Sequence, residues 1–364
     1  MTLLPAPREI DVTNTRELAD WLYQLPDLPR APLVQLPTPI HRLAHFGSHL
    51  GGPELWIKRD DLTGLAGGGN KSRKLEFLVG DALRTGADTL VTVGAIQSNH
   101  TRQTAAAAAR CGLRCALMHC AWTRDAGPGY RHVGNILLSN ILGAELYLDD
   151  RERSIEDKSP LEDLSEHLRG KGHKPYLIPG GASDHPLGSM GYVACAAEIT
   201  RQSRDQDLHL DYVVHCTGSS STQSGLIAGF AAMKVTTRVI GVSDDNEVEI
   251  KKSRVLRLAN ATLETLSLPQ RVRPDDIEIV TATADPYGVA NHEVFQGIQL
   301  LARSEGIMAD PVYEGKAIRG LLNLAGEGRF EPDSRILLMH LGGAPAVHAY
   351  AGQFPPVEFT RFEP

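Results

Sequence analysis

The chain has no unbroken run of about 18 apolar residues, the length a membrane-spanning helix requires, so no transmembrane segment is expected. It also has no block of like charge. Its 37 Lys and Arg residues are scattered among 44 Asp and Glu, and the net charge of −7 offers none of the basic footprint that binds a nucleic-acid backbone. Cysteine is sparse: Cys111, Cys115, Cys120, Cys195 and Cys216 form neither a CxxC pair nor an even set. That excludes a disulfide framework and points to reduced, structural thiols in a cytoplasmic protein. The histidines supply no HxH or HExxH pattern, and His41, His45 and His49, though spaced for one helix face, have no carboxylate at a ligand position among them. No metal site is expected. The opening MTLLPAPREIDVTNTRELADW has acids and prolines where a secretory leader would need a basic start and an apolar run, so no leader is expected.

What is present is an ordinary globular composition, 42% hydrophobic and 22% charged, with 35 glycines and 22 prolines for tight turns. At 364 residues the chain exceeds the roughly 100–200 usual for one domain, so one large domain or two interleaved ones are expected. From Thr89 onward, short apolar runs alternate with stretches of helical period, the signature of a parallel α/β arrangement. Strands are expected at 89–93, 114–118, 145–148, 176–179, 212–216, 238–242 and 336–340, with helices at 98–110, 133–142, 191–201, 225–233, 249–261 and 292–305. A domain crossing is expected in the polar stretch Asp149 to Lys174.

The sharpest motif is Gly67-Gly68-Gly69-Asn70-Lys71-Ser72-Arg73-Lys74, which leads into a helical pattern at Leu75, Phe77 and Leu78. A nucleotide phosphate loop would need glycine where Asn70 stands. A lysine at a buried helix start loses solvation of its charged form, which lowers its pKa and frees the amine for a Schiff base with an aldehyde cofactor. The segment equally allows Lys71, Arg73 and Lys74 to form one solvated helix face. Next, Gly94 to His100 follows a strand and opens a helix, so Ser98 and Asn99 could receive a carboxylate, and Ser98 could also act on a proton; an ordinary helix cap is the alternative. Cys216 to Gly225, dense in hydroxyls at another strand-to-helix corner, suits a phosphate monoester. Tyr287 in DPYGVAN and Tyr313 in DPVYEGK sit beside turns, where packing is the usual fate of a tyrosine. HLGGAP at residues 340–345 lets a backbone pass close to a flat ring.

Together these segments resemble the family of 1-aminocyclopropane-1-carboxylate (ACC) deaminase and D-cysteine desulfhydrase, within the tryptophan-synthase-like enzymes that use pyridoxal phosphate. KRDDLTGLAGGGNKSRK, GAIQSNHTRQ, STQSG, DPVYEGK and HLGGAPA occur in the family's order between Leu36 and Tyr350. The resemblance implies an α/β fold of two three-layer domains with parallel-rich sheets and pyridoxal 5'-phosphate in the cleft. The large domain would be residues 1–74 plus 182–364, and the small one 75–181. It also implies that Lys71 carries the cofactor, that Asn99 contacts the ring hydroxyl, and that Ser98 helps hold the substrate carboxylate beside Gln97 and Trp122. Thr217, Gly218, Ser219, Ser220, Ser221 and Thr222 would take the phosphate. Tyr287 and Tyr313 would act near the substrate as nucleophile, acid or proton carrier.

Glu314 and Leu341 stand at positions that separate the family's activities, and both resemble the deaminases. A carboxylate beside the pyridine nitrogen favours its protonated form and deepens the electron sink. Deamination of ACC to 2-oxobutyrate and ammonia is therefore the first expectation. His100, the short PYGVAN and a phosphate turn without a glycine before STQ are closer to desulfhydrases, and the extension through Arg30 is longer than the family's. The alternative is β-elimination from D-cysteine or cysteate to pyruvate, ammonia and sulfide or sulfite. A non-catalytic protein that binds pyridoxal phosphate is the third. Relatives are commonly homodimers, and the implied partner is a small amino acid.

Overall fold

The computed structural model describes residues 14–362. The first 13 residues, on which part of the leader and extension readings falls, lie outside the described residues. The extension's described part forms α1 (Thr15–Gln24), capped by the Asn14 side chain, and its Leu18 and Leu22 pack on a later helix. Then come β1 (Ile40–Arg42), α2 (Ala44–Gly47), β2 (Glu54–Arg59) and α3 (Asn70–Arg84). The middle of the chain alternates β3 (Thr89–Ala95), α4 (Asn99–Cys111), β4 (Arg114–Cys120), α5 (Asn135–Ile141), β5 (Glu145–Asp149), α6 (Ser159–Gly170) and β6 (Pro175–Ile178). The remainder is α7 (Met190–Asp205), β7 (Tyr212–Thr217), α8 (Ser221–Ala232), β8 (Arg238–Ser243), α9 (Val248–Thr265), β9 (Glu278–Thr281), α10 (His292–Glu305), α11 (Glu314–Gly326) and β10 (Arg335–His340).

The strands make two sheets. The larger has the order β1-β2-β10-β7-β8-β9, parallel except for the β1–β2 edge, and the smaller is β5-β4-β3-β6, parallel throughout. Helices cover both faces of each: α8 and α9 against α2 and α11 on the larger, α4 and α5 against α6 on the smaller. This is the parallel-rich α/β architecture the sequence implies, and burial on both faces explains the continuous apolar runs of β7 and β10.

The domain crossing read at 149–174 is corrected by β6. That strand lies beyond the stretch yet pairs with β3, because polar α6 merely covers the outer face of the small sheet. Two further differences bear on the site. Helix α8 starts at Ser221, four residues before the expected Gly225, because the hydroxyl-rich turn itself forms the first helical turn. Helix α11, read only as the turn 310–315, is helical from Glu314. Among the described residues no helix is long and apolar enough to cross a membrane.

Candidate active site

The carboxyl ends of β3, β7, β8 and β10, with the turn after β6, converge on one cavity of about 660 Å³ between the two sheets. That is where open parallel sheets place ligands, and the volume suits a small molecule.

Lys71 enters the cavity from the first turn of α3. The chain reaches that turn through Gly67, Gly68 and Gly69, all in the left-handed region at φ 84°, 69° and 128°. A side chain at Gly68 would strike the Asp61 carbonyl, so the turn requires glycine there. Arg102 of α4 clamps it, donating to the carbonyls of Ala66 and Gly68. The Lys71 Nζ donates to the Gly181 carbonyl at 3.1 Å and the Ser219 Oγ at 3.3 Å. Burial pushes its pKa down to about 8. Lys74, three residues on, donates from Nζ to Ser221 Oγ at 2.7 Å; burial first, then the neighbouring Lys71, holds it well below the ordinary lysine value. A solvated face over Lys71, Arg73 and Lys74 is therefore not what α3 presents, since Arg73 and Lys74 are buried.

Thr217, Gly218, Ser219, Ser220 and Thr222 line the cavity at the start of α8. Ser220 is left-handed at φ 72°, and the hydroxyls of Thr217 and Ser220 are buried without a hydrogen-bond partner. Ser221 is turned beneath them, its hydroxyl engaged by Lys74 and Ser183. Ser98 borders the cavity and caps α4, its Oγ accepting from the N–H groups of His100 and Thr101, so it makes the ordinary helix cap while lining the cavity. Asn99 and Trp122 also line the cavity. Gln97 does not: its amide donates to the carbonyls of Tyr130 and Val133 and accepts from the Asn135 N–H, which ties down the loop before α5.

On the far wall, the hydroxyls of Tyr287 and Tyr313 are 2.7 Å apart. Burial raises both phenols, and nearby Asp244 and Asp310 add to the effect. Glu314 and Leu341 complete this side. Burial and then Asp310 raise the Glu314 carboxyl well above its usual range, and its Oε1 has no hydrogen-bond partner. Asp310 caps α11 by accepting from the N–H groups of Val312, Tyr313 and Glu314. Gly342 passes so close to Gly69 that a side chain there would meet its Cα.

These residues fit pyridoxal phosphate. A helix start with orphaned hydroxyls suits the phosphate, a lysine with a depressed pKa suits the aldehyde, and a buried carboxyl with an unpartnered oxygen suits the ring nitrogen. Sequence reading missed Lys74 as part of the site, the Gly181 carbonyl, and the buried Asp244–Lys251 pair at the cavity wall, 2.6 Å apart. The Gly180-Gly181 pair after a strand was a legible signal; the depth of Lys74 was not.

The chain matches the family model of pyridoxal-phosphate dependent enzymes over residues 32–342. It is 45% identical over 329 residues to 1-aminocyclopropane-1-carboxylate deaminase of Burkholderia vietnamiensis, covering 90% of this chain and 97% of that one. It is 44% identical over 328 residues to the enzyme of that name from Methylobacterium nodulans, covering 89% and 97%. A crystal structure described as an ACC deaminase homologue superposes with a TM-score of 0.83 at 37% identity, covering 92% of this chain and 97% of the other. A pyridoxal 5'-phosphate-dependent aspartate racemase, at 17% identity and a TM-score of 0.61, shares the fold.

Proposed function

Since the chain belongs to the family of pyridoxal-phosphate dependent enzymes, we propose that it deaminates ACC, with water, to 2-oxobutyrate and ammonia. The observation that carries this is that one cavity holds both a lysine amine with its pKa pushed down to about 8 and a pair of phenols kept protonated by burial. The site thus pairs an amine that gives up its proton far more readily than an ordinary lysine with phenols that keep theirs. Relatives of 44–45% identity named for ACC deamination support this substrate.

Bound pyridoxal phosphate supplies an electron-accepting ring. Lys71 holds it and, once released, takes or returns a proton at the substrate carbon. The start of α8, from Thr217 to Thr222, would anchor the phosphate, Asn99 would meet the ring hydroxyl, and Glu314 would lie at the ring nitrogen with Leu341 beside it. Ser98 and the start of α4 bind the substrate carboxylate, while Trp122 shields the reacting carbons from water. Tyr287 and Tyr313 deliver the proton that ring opening requires. The catalytic division is a large domain of residues 1–74 plus 182–364 and a small one of 75–181, supported by the membership of the two sheets.

A second reading, elimination from D-cysteine or cysteate, is supported by His100, which is buried beside Ser98 and lines the same corner. Holoenzyme given ACC and D-cysteine in turn is expected to release 2-oxobutyrate from the first; sulfide from the second, with no 2-oxobutyrate, selects the elimination. Lys71→Ala is expected to lose on the order of 10²–10⁴-fold in turnover. Borohydride reduction should fix the cofactor on Lys71 in the wild type, and a label on another lysine would remove its assigned role.

The enzyme is further proposed to work as a cytoplasmic homodimer, supported by free cysteines and by exposed Leu137, Ile141, Leu146 and Leu148 on α5 and β5. Sedimentation of the holoenzyme as a monomer, or recovery of the native protein outside the cytoplasm on cell fractionation, would remove the corresponding part.

A further inference from the structure

The two phenols come from separate segments. Tyr287 lies on the loop after β9, and Tyr313 is the residue on which α11 begins. Their contact is tight, 2.7 Å between oxygens with ring planes at 58°, although the sequence places them 26 residues apart. Asp310 fixes the helix side by capping α11. On the loop side, the Tyr350 hydroxyl donates to the Gly288 carbonyl at 2.8 Å, and Gly288, at φ 75°, packs so closely on Thr123 that a side chain would not fit.

Within the loop the Val289 N–H donates to the Pro286 carbonyl, and the restraint that ties this carbonyl to α11 is Lys316. It is 1% exposed, lies outside the cavity lining, and reaches from the first turn of α11 to donate from Nζ to the Pro286 carbonyl at 3.1 Å and the Asp244 carbonyl at 2.6 Å. The Pro286 carbonyl belongs to the rigid peptide unit that leads into Tyr287, so holding that oxygen sets the direction in which Tyr287 leaves the backbone. An ammonium group has only donors, and both acceptors are carbonyls, so the arrangement is chemically matched. We propose that Lys316 is a positioning residue that sets the Tyr287–Tyr313 contact by tying the Pro286 carbonyl to the start of α11.

The kinetic part of this proposal rests on the deaminase reading; the geometric part does not. In Lys316→Met holoenzyme, kcat for ACC should fall about 10- to 100-fold, the scale of an ångström-sized displacement of a reacting group. KM should stay within about twofold and the borohydride label on Lys71 should stay stoichiometric, because the variant leaves the lysine and phosphate corners intact. Because Lys316 acts through Tyr287, the double variant Lys316→Met/Tyr287→Phe should match Tyr287→Phe alone within about twofold, whereas a purely structural role predicts additive losses. Lys316→Gln, which keeps an N–H donor on a shorter arm, should lose less than Lys316→Met.

A crystal structure of the Lys316→Met holoenzyme should show the phenols moved apart. Phenols at their original separation, additive losses, or loss of cofactor in proportion to kcat would each overturn the proposal. So would loss of the fold in both variants, which would assign Lys316 to stability alone. Failure of the wild type to act on ACC counts against the deaminase reading, and the phenol separation then decides the role of Lys316 by itself.

Discussion

Two sides of α3 handle buried charge in opposite ways. On one side, Arg73 is bracketed by Asp60, at 2.8 Å, and Glu198, at 3.0 Å; Lys58 also pairs with Glu198, and the Tyr192 hydroxyl donates to Asp60 at 2.7 Å. Burial alone would lower Arg73 and raise Glu198. The partners outweigh it, so Arg73 rises well above its ordinary value and Glu198 falls to about 2. On the other side, Lys71, which lines the cavity, and Lys74 beneath it neighbour each other without a carboxylate hydrogen bond, and burial wins: Lys71 falls to about 8 and Lys74 well below its ordinary value. The same helix therefore carries a fully compensated cluster that anchors it and an uncompensated pair that leaves an amine ready to react.

Removing one member of the compensated side should have the largest effect on stability. Arg73→Met leaves Asp60 in the interior without its cation and Glu198 with Lys58 alone, and denaturant unfolding of the apoenzyme should show a loss of roughly 3–5 kcal/mol. A loss below about 1 kcal/mol, the scale of a single hydrogen bond, would mean that the cluster anchors nothing.

The next effect is on pH. The folded-state pKa of Glu198 lies below its ordinary 4.5, so its contribution is present above that pH and lost as pH falls toward about 2. The loss on acid titration should approach about 3 kcal/mol. Glu198→Gln should flatten this acid limb, and an unchanged limb would assign acid unfolding to other carboxylates. Glu314 has the opposite sign. Its raised pKa makes the apoenzyme lose stability as pH rises from about 4.5 through the folded value, and the same titration carried upward reads it.

The smallest effect belongs to the uncompensated side. Lys74→Met removes one hydrogen bond to Ser221 and strands no carboxylate, so the apoenzyme should lose only about 1 kcal/mol. A loss as large as that of Arg73→Met would erase the contrast between the two sides.

Much of the site was legible because its residues cluster in short segments. The glycine run before Lys71, the cap at Ser98 and the hydroxyl turn from Thr217 each follow local rules about backbone space and helix starts, and such rules can be read without a fold. Gln97 shows the limit. It adjoins Ser98 in the motif, yet the chain uses its amide to secure residues 130–135, and nothing in the motif reveals which way the side chain turns. The start of α8 shows another: the serines and threonines of the turn form the first helical turn itself, entered through Ser220 in the left-handed region. Before Thr89 little in the sequence marks β1 and β2, since β1 is an edge strand of three residues and β2 has charged residues at both ends of its apolar run.

The sequence by itself determined the class of fold and the family and singled out Lys71 as the candidate, because alternating apolar runs and contiguous motifs are properties of neighbouring residues. Only the tertiary structure decided which charges are compensated. Arg73 and Lys74 are adjacent in sequence, but one points toward Asp60 and Glu198 and the other toward Lys71 and Ser221. Likewise Lys316 reads as one more charged residue on a helix until the fold carries the Pro286 carbonyl to within reach of it. Partners distant in sequence set the electrostatic energy of a buried group, and the chain must fold before those partners meet.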